Sequence, residues 1–187
     1  MANTREYIII HHTLVSRNKN KEQFDAIDRF HKSKGWGKIG YHYLIEPDGE
    51  VKQGRKDTEY GAHCKENLMN YRSIGICLTG NFDIEEPTKK QKEALLELLN
   101  KKQAEYGIPD KKVKLHRDFA TYKSCPGTRI PNDIRGYLDL TDEVPEWAKD
   151  AMDWAKEQKI TNGNRPNEPI TRAEFVTMLF RYHKKRI

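Results

Sequence analysis

Two distant segments of this chain carry residues that only make chemical sense together, and bringing them together restricts the fold more than any other feature. The first is Tyr7-Ile8-Ile9-Ile10, an apolar run that reads as a buried strand and ends in His11-His12-Thr13. The second is His116-Arg117-Asp118-Phe119-Ala120-Thr121-Tyr122-Lys123-Ser124-Cys125-Pro126-Gly127, with a His and a Cys nine residues apart and a Lys two before the Cys. Zinc prefers nitrogen and sulfur, and a catalytic zinc keeps three protein ligands while leaving the fourth position to water. Taken singly, a buried His more often just finds a hydrogen-bond partner, and a loop Cys is more often an inert small side chain. Jointly, a strand-end His with His116 and Cys125 is the arrangement of a metallohydrolase whose separated segments converge on one ion. Adjacent strand side chains point to opposite faces, so only one of His11 and His12 can be the strand-end ligand.

The rest of the chain to about residue 138 alternates strand and helix patterns. Glu22 to Lys34 reads as a helix whose buried face carries Phe24, Ile27, Asp28 and Phe30-His31. Tyr41 to Glu46 and Glu50 to Gln53 flank Pro47-Asp48-Gly49, the chemistry of a hairpin turn. Ile74 to Leu78 is a continuous apolar run suited to a central strand, with Gly75 and Gly80 at its bounds. Thr88 reads as the cap of an amphipathic helix over Lys89 to Tyr106 that buries Leu95, Leu96, Leu98 and Leu99 and stops at Gly107. Val113 and Leu115 form a short strand delivering His116, and Pro131 to Leu138 closes the region as a helix. The expected class is α/β: a mixed central sheet with helices on its faces.

Composition sets the outer limits. The 187 residues suit one ordinary domain plus a small appendage. Hydrophobic residues make up 36% and charged residues 33%, and no apolar run approaches the roughly 20 residues that span a bilayer. Membrane insertion is therefore not expected. Met-Ala-Asn-Thr-Arg-Glu leads straight into a strand, so synthesis in the cytoplasm without a signal peptide is expected. Three cysteines argue against a disulfide scaffold; Cys77 reads as core, and Cys64 has no evident role. The net charge is +6, carried mostly before residue 140, where Lys and Arg number 25 against 20 acidic residues. Such a surface suits an anionic polymer. No nucleic-acid-binding signature appears, so nucleic acid is not an expected partner.

Five segments carry a resemblance: Ile8 to Thr13, Gly40 to Ile45 with Asp48-Gly49, Gly61-Ala62-His63, Ser73 to Phe82, and His116 to Gly127. In their order and rough spacing over residues 7 to about 138, the chain resembles the zinc N-acetylmuramoyl-L-alanine amidases of the type 2 family. That family includes phage endolysins and is related to peptidoglycan recognition proteins. The resemblance implies Zn²⁺ held by His11, His116 and Cys125, with His12 as the local alternative to His11. It also implies catalytic roles for Tyr41 and Lys123, and a substrate-side position for His63. The implied reaction is hydrolysis of the amide between the N-acetylmuramic acid lactyl group and L-alanine of peptidoglycan. Lys123 would stabilise the tetrahedral oxyanion, and Tyr41 would orient water and relay a proton. Two other readings stay open: a recognition protein that binds without cleaving, and a cytoplasmic amidase recycling soluble muropeptides. Binders of this kind typically lack the cysteine ligand, so Cys125 favours an enzyme. A phage-type lysin would reach the wall after release by a holin-type protein or by lysis.

The boundaries expected are a catalytic domain over 1–139, a linker over 140–145 and a helical module over 146–187. Glu146 to Lys159 reads as an amphipathic helix, stopped by Ile160-Thr161-Asn162-Gly163. Thr171 with Glu174 reads as a capping box opening a second helix, whose apolar face is Phe175, Met178, Leu179 and Tyr182. Trp147-Ala148, Ile160 to Gly163 and Ile170 to Phe175 are similar to one S-layer homology repeat, a module that binds anionic secondary cell-wall polysaccharide. The resemblance implies wall contacts by Trp147 and Arg172. A single copy, where three commonly associate, makes self-association plausible. The alternative is a helical hairpin docked for stability alone.

Overall fold

The computed structural model describes residues 5–17, 22–138, 148–161 and 172–184, and the chain divides into two compact units, Met1–Leu138 and Asp139–Ile187. In the first unit, β1 (Tyr7–His12), β2 (Tyr43–Ile45), β3 (Val51–Gln53), β4 (Ser73–Leu78) and β5 (Val113–Leu115) form one five-stranded sheet. The order is β3-β2-β4-β1-β5, with β1 parallel to both β4 and β5, β2 parallel to β4, and only the β2–β3 hairpin antiparallel. The sheet is mixed, as the patterning predicts.

Alternation along β1 sorts its side chains between two cores. Ile8 and Ile10 join Ile74, Ile76, Leu78, Tyr43 and Ile45 against the long helix α3 (Lys89–Tyr106), which contributes Leu95, Leu98 and Leu99. Ile9 faces the other way, towards Cys64 and Met69. His11 and His12 inherit opposite faces by the same two-residue period. The Nδ1 of His12 accepts the Phe82 backbone N–H at 3.2 Å. That hydrogen bond explains its burial and leaves His11 as the β1 residue facing the candidate site.

The ends of α3 are set as the sequence predicts. Thr88 Oγ1 accepts the Gln91 N–H while Gln91 Oε1 accepts the Thr88 N–H, a reciprocal capping box. Gly107 closes the helix at φ 65°. The first helix, α1 (Phe24–Ser33), has no cap of its own. Its start is held from the sheet: Glu46 Oε1 accepts the N–H groups of Gln23 and Phe24, each at 2.9 Å, while its Oε2 takes the Thr79 hydroxyl at 2.6 Å.

Several elements differ from the sequence expectation. Only His31 is buried on α1, and Phe30 is exposed, because the helix turns His31 inward to pack on Trp36 and Tyr41. Tyr41 lies before β2 rather than within it. Gly75 stands inside β4 and does not bound it. The closing helix α4 is a single turn, Ile134–Tyr137, preceded by loop backbone that binds other side chains. Three further helices are described: α2 (Met69–Arg72) in the first unit, and α5 (Lys149–Glu157) and α6 (Arg172–Lys184) in the second. The proposed linker at 140–145 and the capping box at Thr171–Glu174 lie outside the described residues. No described helix is long and apolar enough to cross a membrane.

Candidate metal centre and surrounding site

The parallel pairing of β1 with β5 brings the two distant segments together. The β1–β5 pairing ends at Ile10 and Leu115; His11 follows within β1, while β5 passes directly into a single 3-10 turn, His116–Asp118. The loop then doubles back, with Arg117 N–H donating to the Cys125 carbonyl at 2.8 Å. The result is that His11, His116 and Cys125 each present one ligand atom within 4.8 Å of the others. The His11 and His116 ring centroids are 4.5 Å apart, and Cys125 Sγ lies 3.7 Å from His11 Nδ1.

This donor set suits a metal ion. It offers two imidazole nitrogens and one sulfur, the ligand chemistry of zinc. Burial holds both rings neutral: His11 falls well below its ordinary range, with His63 and His116 adding to the effect, and His116 falls to about 4 through burial and then the Lys123 charge. Neutral imidazole is the form that coordinates metal. Burial also pushes the Cys125 thiol up to about 11, against the lowering effect of the His12 backbone and Lys123. Metal binding there would have to displace that proton. The buried His116 Nε2 has no hydrogen-bond partner and faces the Glu66 carboxylate.

Around the three residues stands a cage of rings. Tyr41 lies 5.2 Å from His11 by ring centroid, and burial raises its phenol well above the ordinary range, with Cys77 and Cys125 adding to the rise. His63 is buried, and its Nδ1 is 3.0 Å from His11 Nε2, so the two rings share one proton between them. The site edge therefore touches His63 through His11. Lys123 is exposed, with its Nζ 5.4 Å from the Tyr122 ring centroid, and its charge is felt at His11, His116 and Cys125. Thus the structure brings together His11, His116, Cys125, Tyr41, His63 and Lys123. Trp147 lies outside the described residues; Arg172 opens α6, and its side chain also lies outside them.

Four supporting residues were not legible as such in the sequence. Arg117 laces the ligand loop: its guanidinium donates to the carbonyls of Ser124, Gly127 and Ile130 and to Asn132 Oδ1. Gly75 makes room for His63, since a Cβ there would stand 2.5 Å from the ring's Cδ2. A glycine inside an apolar strand run was the available signal of close approach. His42 is fully buried, accepting the Gly75 N–H on Nδ1 and meeting the Glu59 carbonyl through Nε2, and it packs on His63 at 5.6 Å. Glu66 faces His116 Nε2 at 3.9 Å and accepts the Tyr122 hydroxyl at 2.7 Å. The Tyr122 hydrogen bond is the first cause holding its carboxyl down at about 2.

The fold and this site define a class. The family model for N-acetylmuramoyl-L-alanine amidase matches residues 2–128, and the chain belongs to that family. A second model, the S-layer homology domain, matches residues 137–176. Among curated relatives, peptidoglycan-recognition protein SC1a of Drosophila melanogaster is 34% identical over 142 residues, covering 73% of this chain and 76% of that protein. The endolysin of Enterobacteria phage T3 is 34% identical over 128 residues, covering 66% of this chain and 81% of its own. Among solved structures, N-acetylmuramoyl-L-alanine amidase LysC from Clostridium intestinale superposes with a TM-score of 0.63 at 33% identity, covering 75% of this chain and 90% of that one.

Proposed function

We propose that this chain is a zinc-dependent peptidoglycan amidase that hydrolyses the bond between the N-acetylmuramic acid lactyl group and L-alanine, with a C-terminal module that holds it on the wall. The observation that carries the reading is the convergence of His11, His116 and Cys125 with ligand atoms within 4.8 Å. These three residues would hold the ion. When bound there, zinc supplies Lewis acidity towards an amide carbonyl and lowers the pKa of a coordinated water.

The remaining work falls to side chains of the chain itself. Lys123 carries a positive charge on the loop that bears Cys125, placed to meet negative charge as it develops on the carbonyl oxygen. Tyr41 keeps its phenol proton through burial, so its hydroxyl can donate to an attacking water or pass a proton towards the leaving nitrogen. His63 fixes the His11 ring through the 3.0 Å contact and takes the substrate-side edge of the ring cluster. A carboxylate or imidazole partner of this kind sets tautomer and orientation in metal sites. The domain limits proposed are 1–139 for catalysis, 140–145 as linker and 146–187 as the wall-binding module. Arg172 and Trp147 are its proposed contacts to anionic secondary wall polysaccharide, with self-association as one route to tighter binding.

A recognition protein that binds peptidoglycan without cleaving it is the second reading, favoured by the similarity to a peptidoglycan-recognition protein. The cysteine within the ligand group supports hydrolysis over that alternative. Native mass spectrometry tests the metal: one zinc per chain is expected, and full occupancy in a His11→Ala, Cys125→Ala double variant would rule the ligand set out. A turbidity assay on purified walls, run beside soluble muropeptides, separates the readings. Clearing of walls is expected; binding without clearing makes it a recognition protein, and cleavage of soluble fragments alone makes it a recycling enzyme.

A further inference from the structure

The segment Glu66–Leu68, a 3-10 turn beside His116, is untouched by the mechanism above. Both residues after Glu66 sit at positive φ, Asn67 at 49° and Leu68 at 59°. Backbone of that kind costs on the order of 1–3 kcal/mol per residue and persists only where its surroundings hold it. Within this turn Glu66 makes three polar approaches. Its Oε1 accepts the Tyr122 hydroxyl at 2.7 Å, and its Oε2 lies 3.6 Å from the Cys64 thiol and 3.9 Å from His116 Nε2. One oxygen is anchored, and the other is aimed between a thiol and an imidazole. That imidazole nitrogen is the buried one without a hydrogen-bond partner.

We infer that Glu66 is a positioning residue for the metal centre, accepting the outward N–H of His116 and tying the Lys123-bearing loop to the same carboxylate through Tyr122. The inference rests on the zinc reading of the preceding subsection. A neutral ligand imidazole has one nitrogen for the metal and one N–H that must find an acceptor, and leaving such a donor buried and unpaired costs about 1–3 kcal/mol. Because Nε2 faces Glu66, Nδ1 is the nitrogen left for the ion. The 3.9 Å separation is about 1 Å beyond hydrogen-bond length, and a rotation of the carboxylate about the oxygen anchored on Tyr122 closes it. Outer partners of metal-bound histidines fix the tautomer, orient the ring and raise its basicity, and their loss typically costs about 10- to 100-fold in metal affinity or activity. The same three groups, Cys64, Glu66 and His116, also place ligand atoms within 4.8 Å of one another. A second metal ion there is the competing account.

The test is zinc competition against a chromophoric chelator, with the cobalt(II)-substituted protein's d–d spectrum read in parallel, on wild type, Glu66→Ala, Glu66→Gln and Tyr122→Phe. Glu66→Ala should weaken zinc by about 10- to 100-fold and shift the cobalt bands. Glu66→Gln, nearly the same in volume, keeps one acceptor oxygen and should fall between; it carries the test if the alanine variant does not fold. Tyr122→Phe, which removes the anchor of the carboxylate, should shift the cobalt bands less than Glu66→Ala does. Zinc affinity within twofold of wild type in both Glu66 variants would overturn the inference. Two zinc ions in wild type and one in the Glu66 variants would overturn it in favour of a second metal site. A wild-type protein that binds no zinc removes the zinc reading itself, and this inference with it.

Discussion

The two units of the chain place their apolar side chains in opposite ways. In Met1–Leu138, Ile8, Ile9, Ile10, Ile74, Ile76 and Leu99 are completely buried, and the ligand group draws His11 from β1 and His116 and Cys125 from the segment after β5. In Asp139–Ile187, Phe175, Val176, Leu179 and Phe180 of α6 are each half exposed or more, and contacts such as the Trp154–Tyr182 ring pair join helix to helix. The first arrangement fixes atoms to within a fraction of an ångström, which chemistry at a metal requires. The second offers surface, which suits adhesion. The difference teaches that precision here comes from parallel strand ends: the β1–β5 pairing finishes at Ile10 and Leu115, and the next residues along the two segments are His11 and His116.

The sharpest way to break that contrast is to remove chemistry from the first unit while leaving its frame. Lys123→Ala and Tyr41→Phe should keep fold and zinc yet lose wall lysis by about 100-fold or more, the scale of a lost oxyanion stabiliser. Lysis rates with zinc content measured on the same preparations decide it. Unchanged lysis in either variant removes that residue from the mechanism.

A smaller effect is expected from the frame itself. Gly75→Val adds atoms where even a Cβ would meet the His63 ring at 2.5 Å, so His63 or β4 must move. Overpacking of this kind costs about 1–3 kcal/mol. Urea denaturation should show that loss together with weaker zinc binding, whereas a variant as stable as wild type would mean that His63 has room to move.

The legible parts of this molecule are those where a local pattern and a global requirement agree. The β1 run, the Thr88–Gln91 cap and the Asp48-Gly49 turn each obey rules acting over a few residues. Gly49 takes φ 92°, and Asp48 Oδ1 accepts the Glu50 N–H. The ligand types were legible because few side chains bind zinc. Arg117 and Glu66 were not, because their roles are made by a loop folding back on itself and by two chain segments passing. Charge alone marks them as ordinary surface residues. The α1 face was misread because a helical period shows which residues share a side, and Phe30 and His31 are neighbours around the helix; packing on Trp36 and Tyr41 selected His31.

A further probe of the first unit is pH. His42 is buried with both ring nitrogens engaged, and burial lowers its pKa from the ordinary 6.5 to about 4, with the Glu59 carbonyl and Asp57 opposing and Arg5 and Arg55 reinforcing. A folded pKa below the unfolded one means the unfolded chain binds the proton first. The stabilisation is complete above about pH 6.5 and is lost as pH falls towards 4. By linkage this one ring accounts for about 2 kcal/mol lost by pH 5. Denaturation midpoints taken from pH 7.5 downward should fall below pH 6.5, and His42→Gln should flatten part of that slope. A flat wild-type profile down to pH 5 would sink the argument.

The smallest effects are expected in the second unit, and they ask whether surface is all it provides. A chain ending near residue 140 should fold, keep zinc and cleave small muropeptides, yet bind intact walls poorly. Within the full chain, Arg172 opens α6, where a guanidinium can grip carboxylate or phosphate in a fixed fork. The N-terminus of a helix of this length adds backbone N–H groups towards the same anion. Arg172→Ala should therefore weaken wall pull-down while moving the thermal midpoint little. The outcome turns on which property changes. If the shortened chain unfolds, or if the Arg172 variant loses stability while its wall binding is intact, α5 and α6 serve as a stabilising hairpin, and the contrast between a catalytic and an adhesive unit falls.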